Sequence, residues 1–162
     1  MEQTVSQRAQ LYKFTQRTQE AEDCYQLLVR IKEIYYGEFS ESLITALKNL
    51  GGILYMNNKI DESIITLERA VSNINKVISA NKIKDKNYFK QNSTEVIILL
   101  MSVLERQFGQ PIDYDRLRMI EDTLVKIQES DSNSVIAQFL MLKAKKMQIT
   151  PGTDSNLVLT TI

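Results

Sequence analysis

The chain has 162 residues, 43% of them hydrophobic and 25% charged, so it can form a core of ordinary size and is not a disordered polypeptide. Lys plus Arg number 20 and Asp plus Glu number 20, which excludes the strongly basic character of many nucleic-acid-binding domains. Histidine is absent and Cys24 is the only cysteine, so His-based catalytic dyads, intrachain disulfide bonds and zinc clusters are excluded as well.

The first helix is predicted over residues 1–17. Within this stretch Arg8, Lys13 and Arg17 accompany several Ser and Thr and a single acidic residue, Glu2, a composition that also fits a mitochondrial presequence. The stretch lacks the apolar region of a secretory signal, and the chain has no apolar run of the roughly 18 residues that a transmembrane helix needs. We therefore expect an intracellular, cytoplasmic protein, with mitochondrial import as the open alternative.

Two further helices are predicted over 19–36 and 41–57. The apolar face of the first consists of Ala21, Tyr25, Leu28 and Tyr35, with Ile31 alongside. Gly37 ends that helix, because glycine adopts the left-handed conformation at little cost. Ser40 has the side chain of an N-cap for the second helix. Leucines spaced three and four residues apart give the second helix its buried face: Leu43, Leu47, Leu50 and Leu54.

The clearest amphipathic pattern spans residues 60–78, after a turn at Asn57 and Asn58. Its apolar residues alternate steps of four and three: Ile60, Ile64, Leu67, Val71, Ile74 and Ile78. Its opposite side is polar, with Asp61, Glu62, Glu68, Arg69 and Asn73. This pattern predicts a helix with one buried stripe.

The second half of the chain is predicted to be helical too. The segment NKIKDKNYFK after residue 81 is interpreted as a helix-end loop, and helices follow over 88–107, after the N-cap Asp113, and over 134–147. Their apolar residues are Ile97, Leu100, Met101, Leu104 and Phe108, then Leu117, Ile120, Leu124 and Ile127, and finally Val135, Phe139 and Leu142. Short connections favour antiparallel neighbours. The sequence thus predicts an all-α fold of about seven helices, with one domain over 1–148 and a C-terminal tail over 149–162.

A helix-turn-helix unit occurs twice in the first half of the chain, with an offset of 42 residues. The aligned pairs are Ala9 with Gly51, Tyr12 with Leu54, Ala21 with Ser63, Tyr25 with Leu67, and Leu28 with Ala70.

The second unit resembles a tetratricopeptide repeat at Leu47, Leu50, Gly51, Leu54, Ser63, Leu67 and Ala70. The 42-residue period is similar to the kinesin-light-chain type of these repeats. The resemblance is good over 18–78, weak over 1–17 and degenerate over 85–147. It implies antiparallel helix pairs stacked as a short superhelix.

Two adjacent glycines, Gly51 and Gly52, lie in the middle of a predicted helix, where together they cost about 2 kcal/mol relative to alanine. Close approach of a neighbouring helix, permitted by the missing side chains, would offset this cost, and the small residue Ser63 on the next helix fits that interpretation. The alternative is a helix that ends at Leu50. We favour close packing, because residues 53–55 have no turn chemistry.

No constellation of side chains predicts catalysis. Asp113, Asp115, Glu121 and Asp122 form one acidic group, and its spacing is that of a helix cap and a solvated helix face, without an EF-hand pattern. Cys24 has no histidine partner and is predicted to pack beside the Tyr25 stripe. We therefore expect a protein that is not an enzyme, with no cofactor, no metal and no small-molecule substrate.

The resemblance also implies where a partner binds, since the first helices of tetratricopeptide repeats line a concave surface that holds a peptide or a partner helix. Carried over to this sequence, the partner-binding residues are Lys48, Asn49, Gly52, Tyr55, Met56, Lys13 and Phe14, with Thr45, Ser6, Gln7 and Gln10 beside them. Lys48 can meet a carboxylate, and Asn49 can hydrogen-bond an extended backbone. The implied function is protein–protein interaction, as an adaptor or a structural subunit of a multiprotein complex, without membrane insertion.

Two functions of other classes stay open as alternatives. One is association with nucleic acid through the segment 82–90, where four lysines are interleaved with Tyr88 and Phe89. The other is an enzyme with a carboxylate site, which the missing histidine and the placement of the acidic residues at helix caps and faces disfavour.

Overall fold

The computed structural model describes residues 1–106 and 114–129. These residues form six α-helices: α1 (Glu2–Phe14), α2 (Thr18–Tyr36), α3 (Glu41–Met56), α4 (Ile60–Ser79), α5 (Lys86–Glu105) and α6 (Tyr114–Glu129). Neither described range contains a β-strand, so the predicted all-α fold is confirmed. The predicted helix over 134–147, the tail over 149–162, and the positions of Phe108 and the cap Asp113 lie outside the described residues.

Short polar residues set the helix boundaries. Gly37 ends α2 with a φ of 74°, and the hydroxyl of Ser40 accepts a hydrogen bond from the amide of Leu43 at 3.2 Å, as predicted. Asp85 caps α5, because its carboxylate accepts from the amides of Asn87 and Tyr88 at 3.0 Å. The predicted helix over 88–107 therefore begins two residues earlier than expected, at Lys86, because Asp85 caps it within the segment interpreted as a loop.

The helices stack as antiparallel pairs in which each new pair covers the last. α2 packs between α1 and α3, α4 packs against α3 and α5, and α6 covers α4 and α5. α2 begins at residue 18 and α4 at residue 60, which reproduces the 42-residue period. α3 also contacts α5 directly, with the two helices parallel, because contacts step along both in the same direction from Thr45 with Tyr88 to Lys48 with Glu95.

The predicted apolar stripes form one core that runs through all three pairs. Fully buried members include Leu43, Leu47, Leu67, Val71, Ile97, Leu100, Ile120 and Leu124. Tyr35 is an exception, at 77% exposure, because Ile31 is the last buried residue of α2. Asn73 is the opposite exception: it was placed on the polar side, but it is 3% exposed because α3, α5 and α6 all pack against α4.

A close helix crossing at Gly51 confirms the packing interpretation of the glycine pair. A Cβ atom added to Gly51 would lie 2.6 Å from both Cγ and Cδ2 of Leu67, which is closer than side chains approach one another. Ser63 completes the crossing, because its hydroxyl donates to the Gly51 carbonyl oxygen at 2.7 Å. The missing side chain therefore lets α4 lie directly on α3.

A small buried residue recurs at the position of Gly51 in all three helix pairs. Ala9, Gly51 and Ser93 are spaced by 42 residues on α1, α3 and α5, and all three are buried. The third helix pair is thus a degenerate copy of the first two, at least in its first helix.

A buried carboxylate joins the first pair to the second. Glu22 on α2 is 1% exposed and accepts hydrogen bonds from Asn57 Nδ2 at 2.6 Å and from Lys59 Nζ at 2.7 Å. Both donors belong to the turn between α3 and α4, and the same Asn57 amide also donates to the Thr18 carbonyl oxygen. Because a buried charge must be paired, these contacts fix the position of α2 relative to the second pair.

Candidate functional site

The seven residues predicted to bind a partner lie on the first helices of the first two pairs, α1 and α3. The first helix of the third pair, α5, packs beside those on α3. Along the junction of α3 and α5, Lys48 forms an ion pair with Glu95, and Gln91 also donates to this carboxylate at 3.1 Å. The hydrogen bond from Lys48 lowers the pKa of Glu95. Only 18% of the Lys48 side chain is exposed, and the carboxylate that it meets is Glu95 of the chain itself.

Two more of the predicted residues lie in the same junction. Gly52 faces α5, where an added Cβ atom would be 3.6 Å from Leu99 Cδ2. The ring of Tyr55 is partly buried and lies 4.8 Å from the guanidinium carbon of Arg106. Gly52, Lys48 and Tyr55 therefore help to hold α5 against α3, a role that was not predicted for them.

Four predicted residues lie on open surface. Met56 is 52% exposed and Phe14 is 88% exposed, while Lys13 is exposed and Asn49 partly so. Asn49 and Met56 are seven residues apart, almost two full turns, so they share one face of α3. That face is next to the α3–α5 junction but is not covered by it.

Repeat-equivalent positions on the three first helices carry the same chemistry. Phe14, Met56 and Ile98 are spaced by 42 residues, and each is an exposed apolar side chain. Seven residues before each of them is a side-chain amide: Gln7, Asn49 and Gln91. We call these six residues the first-helix strip. Gln91 and Ile98 were missed in the sequence, although continuing the 42-residue offset into α5 would have found them.

The strip has the chemistry of a binding surface. An amide side chain both donates and accepts, so each row of amides can pair with the backbone of an extended segment. Exposed apolar side chains gain free energy when a partner covers them. Over residues 1–106 and 114–129, no three His, Cys, Asp or Glu side chains are grouped to hold a metal ion.

The remaining candidates for chemistry are accounted for by packing. Cys24 is half-buried against the core, and burial raises the pKa of its thiol, which disfavours the reactive thiolate. Asp115 and Asp122 are exposed on α6. In the lysine-rich segment, Phe89 is buried and the Tyr88 hydroxyl is 3.0 Å from Thr45 Oγ1, so both aromatic residues contact the chain itself.

A sequence model of the tetratricopeptide repeat family matches residues 1–76. The match covers 47% of the chain and is a similarity to this family, whose members generally mediate protein–protein interactions and are typically not catalytic. No curated protein matches the chain.

Among solved structures, the chain is similar to BtubC (BKLC) from P. vanneervenii, with 15% sequence identity and a TM-score of 0.42. The similarity covers 91% of this chain and 63% of that one, so the chain spans less than two thirds of the length of this relative. None of the helices in the described part of the chain is both long and apolar enough to span a membrane.

Proposed function

We propose that this protein is a non-catalytic adaptor or complex subunit that binds a segment of a partner protein along the first-helix strip. The observation that carries this proposal is the repetition of one exposed apolar residue and one amide on each first helix, at the 42-residue period of the fold. A core needs neither exposed apolar residues nor a row of amides, so their recurrence points to an external ligand.

The two rows have separate roles in this proposal. The amides of Gln7, Asn49 and Gln91 pair with the main chain of the partner segment, which gives register without requiring a particular sequence. Phe14 and Met56 cover apolar side chains of the partner and supply most of the affinity, since a few large apolar contacts dominate most interfaces.

The other predicted residues act at the margin of the strip. Lys13 is exposed beside Phe14 and is available to an acidic group of the partner. Lys48 is engaged with Glu95, so a partner carboxylate would have to compete with that pair. Tyr55 and Gly52 set the distance between α3 and α5, and thereby the spacing of the amides at Asn49 and Gln91.

The test is quantitative affinity purification with the double variant Asn49→Ala, Met56→Ser. Recovery of the main partner is expected to fall by about tenfold, which corresponds to about 1.4 kcal/mol. Ile65→Ser is the matched control, because Ile65 is 64% exposed on α4, outside the strip. The melting temperature of each variant checks folding. Undiminished recovery of every partner by the double variant would show that the strip is not the binding surface.

Nucleic-acid binding is not favoured by the described residues. Of the aromatic residues in the segment 82–90, Phe89 is buried, which leaves Tyr88, 48% exposed, as a single ring, whereas single-stranded nucleic acid stacks on several aromatic rings in succession. A gel-shift assay with single-stranded RNA at low salt would detect such binding, and we expect none.

A further inference from the structure

A groove opens where α4 and α6 lie side by side. It has a volume of about 470 Å³ and is lined by Phe39, Ser72, Asn75, Lys76, Ser79, Ala80 and Met119. The lining residues come from the C-terminal half of α4, the loop between α2 and α3, and α6. None of them lies on α1, α3 or α5, so the groove is separate from the first-helix strip.

Hydrogen bonds between α4 and α6 hold one wall of this groove in place. Asn75 Nδ2 donates to Thr123 Oγ1 at 2.8 Å, and Asn75 Oδ1 accepts from Lys126 Nζ at 3.2 Å. Arg116 of α6 forms an ion pair with Glu68, which lies two turns before Asn75 on α4. The groove is therefore formed within the chain and does not require a ligand to assemble it.

Two large apolar side chains provide the contact surface of the groove. Phe39 is 46% exposed, and Met119 is half-buried and packs against the core. The ammonium groups of Lys76 and Lys82 lie 5.7 and 5.5 Å from the centre of the Phe39 ring. An apolar ligand side chain on Phe39 would thus have positive charges next to it.

The charge around the groove is positive. Lys76 lines it, Lys82 lies 5.5 Å from the Phe39 ring, and Lys126 contacts Asn75 at its wall; of these three lysines, all in the described part of the chain, Lys76 has an ion pair, with Glu38 at 3.5 Å. Both partners of that pair are well exposed, at 41% and 65%, so water screens it and the pair is weak. Lys126 also donates to Asn75 Oδ1 at 3.2 Å, so Lys82 is the ammonium group without a polar contact to a described residue, and Lys76 and Lys126 can each add an anionic group of a ligand to the partner that they already have.

We propose that this groove binds a short acidic segment of a partner protein that carries an apolar side chain between its carboxylates. The apolar side chain lies against Phe39 and Met119, and the flanking carboxylates meet Lys76, Lys82 and Lys126. A purely apolar ligand would gain nothing from the three lysines, and a small anion would leave Phe39 uncovered. The lysines and the apolar surface of the groove together favour a ligand that is both acidic and apolar. The proposal uses residues different from those of the first-helix strip.

The probe is a fluorescein-labelled synthetic peptide with Glu and Asp on both sides of a central Phe-Leu pair, titrated with the full chain by fluorescence anisotropy. Saturable binding is expected. The double variant Lys76→Gln, Lys126→Gln and the single variant Phe39→Ser are each expected to raise Kd by about tenfold. The control is Arg8→Gln, Arg30→Gln, which removes the same net charge from exposed positions on α1 and α2 and is expected to leave Kd within about twofold.

Methionine methyl NMR locates the peptide, because Met119 lines the groove and Met56 belongs to the first-helix strip. The expected result is a shifted Met119 signal and an unshifted Met56 signal. No saturable binding, equal Kd for the groove and control variants, or a shift of Met56 alone would each overturn the proposal. A change of oligomeric state in the groove variants would overturn it too, since the occupant would then be a second copy of the chain. None of these outcomes bears on the first-helix strip except a Met56 shift, which would support it.

Discussion

The size of single side chains limits how closely the helices approach one another. Alanine substitutions at the adjacent glycines of α3 measure this limit as a change in the free energy of unfolding. An alanine at position 51 would place Cβ 2.6 Å from Leu67, whereas at position 52 the nearest atom is at 3.6 Å. Alanine gains about 1 kcal/mol over glycine within a helix. We therefore expect Gly52→Ala to stabilise the protein by about 1 kcal/mol. Gly51→Ala should destabilise it by about 1 kcal/mol, because overpacking of the fully buried Leu67 exceeds that gain.

Urea unfolding of the two alanine variants measures both effects under one set of conditions. Gly51→Leu, with a larger side chain at the same crossing, is expected to lose several kcal/mol more or to fail to fold. Equal free energies of unfolding for Gly51→Ala and Gly52→Ala would contradict the close crossing of α3 and α4.

The sequence predicts such local features well when their cause is also local. Gly37, Ser40 and the packing role of Gly51 follow from turn, cap and propensity rules that need only a few neighbouring residues. Lys48 was predicted to be free because its partner, Glu95, is 47 residues away along the chain. No rule of helix periodicity brings those two side chains together; the stacking of α5 on α3 does.

Among the helices, the contact between α3 and α5 joins the first helix of the third pair to the first helix of the second pair. Its ion pair contributes little, about 0.5 kcal/mol, because 45% of the Glu95 side chain is exposed. The lowered pKa of Glu95 means that its contribution is present above the usual carboxylate pKa of 4.5 and is lost as the pH falls through the lowered value.

Lys48→Met is therefore expected to lower the free energy of unfolding by about 0.5 kcal/mol at pH 7 and to have no effect in strong acid, below both pKa values of Glu95. Urea unfolding at both pH values measures the difference between wild type and variant. Lys86→Met, at an exposed position in the first turn of α5, is the control and should show no such pH dependence. A penalty for Lys48→Met that is the same at both pH values would mean that Lys48 acts through packing and not through its charge.

The whole molecule is a continuous stack, in which the apolar faces of α3 and α4 are completed by α5, and those of α4 and α5 by α6. A fragment of residues 1–84 would expose the faces that α5 and α6 cover. We expect this fragment to aggregate or to bind a hydrophobic dye strongly, as measured by size-exclusion chromatography and dye fluorescence. A fragment that is monomeric, soluble and fully helical would show that the second half of the chain is an independent unit.

At this scale the sequence predicts the class of fold and the order of the helices, because both follow from helical periodicity and short connections. It predicts the third pair only as a degenerate repeat, because Phe89 and Ser93 replace the Leu47 and Gly51 of the second unit, and burial shows that these positions correspond. The first-helix strip was for that reason only partly found: Phe14, Met56 and Asn49 were predicted, and Gln91 and Ile98 were not.

Site-specific photo-crosslinking tests most directly whether the first-helix strip binds the partner. A benzophenone amino acid replaces Met56 in one variant and Ile65 in another, since both positions are exposed and lie on different helices, α3 and α4. The account predicts that the partner recovered by affinity purification crosslinks to position 56 and not to position 65, and that Asn49→Ala reduces the yield at position 56. Crosslinking of that partner at position 65 with none at position 56 would contradict the account.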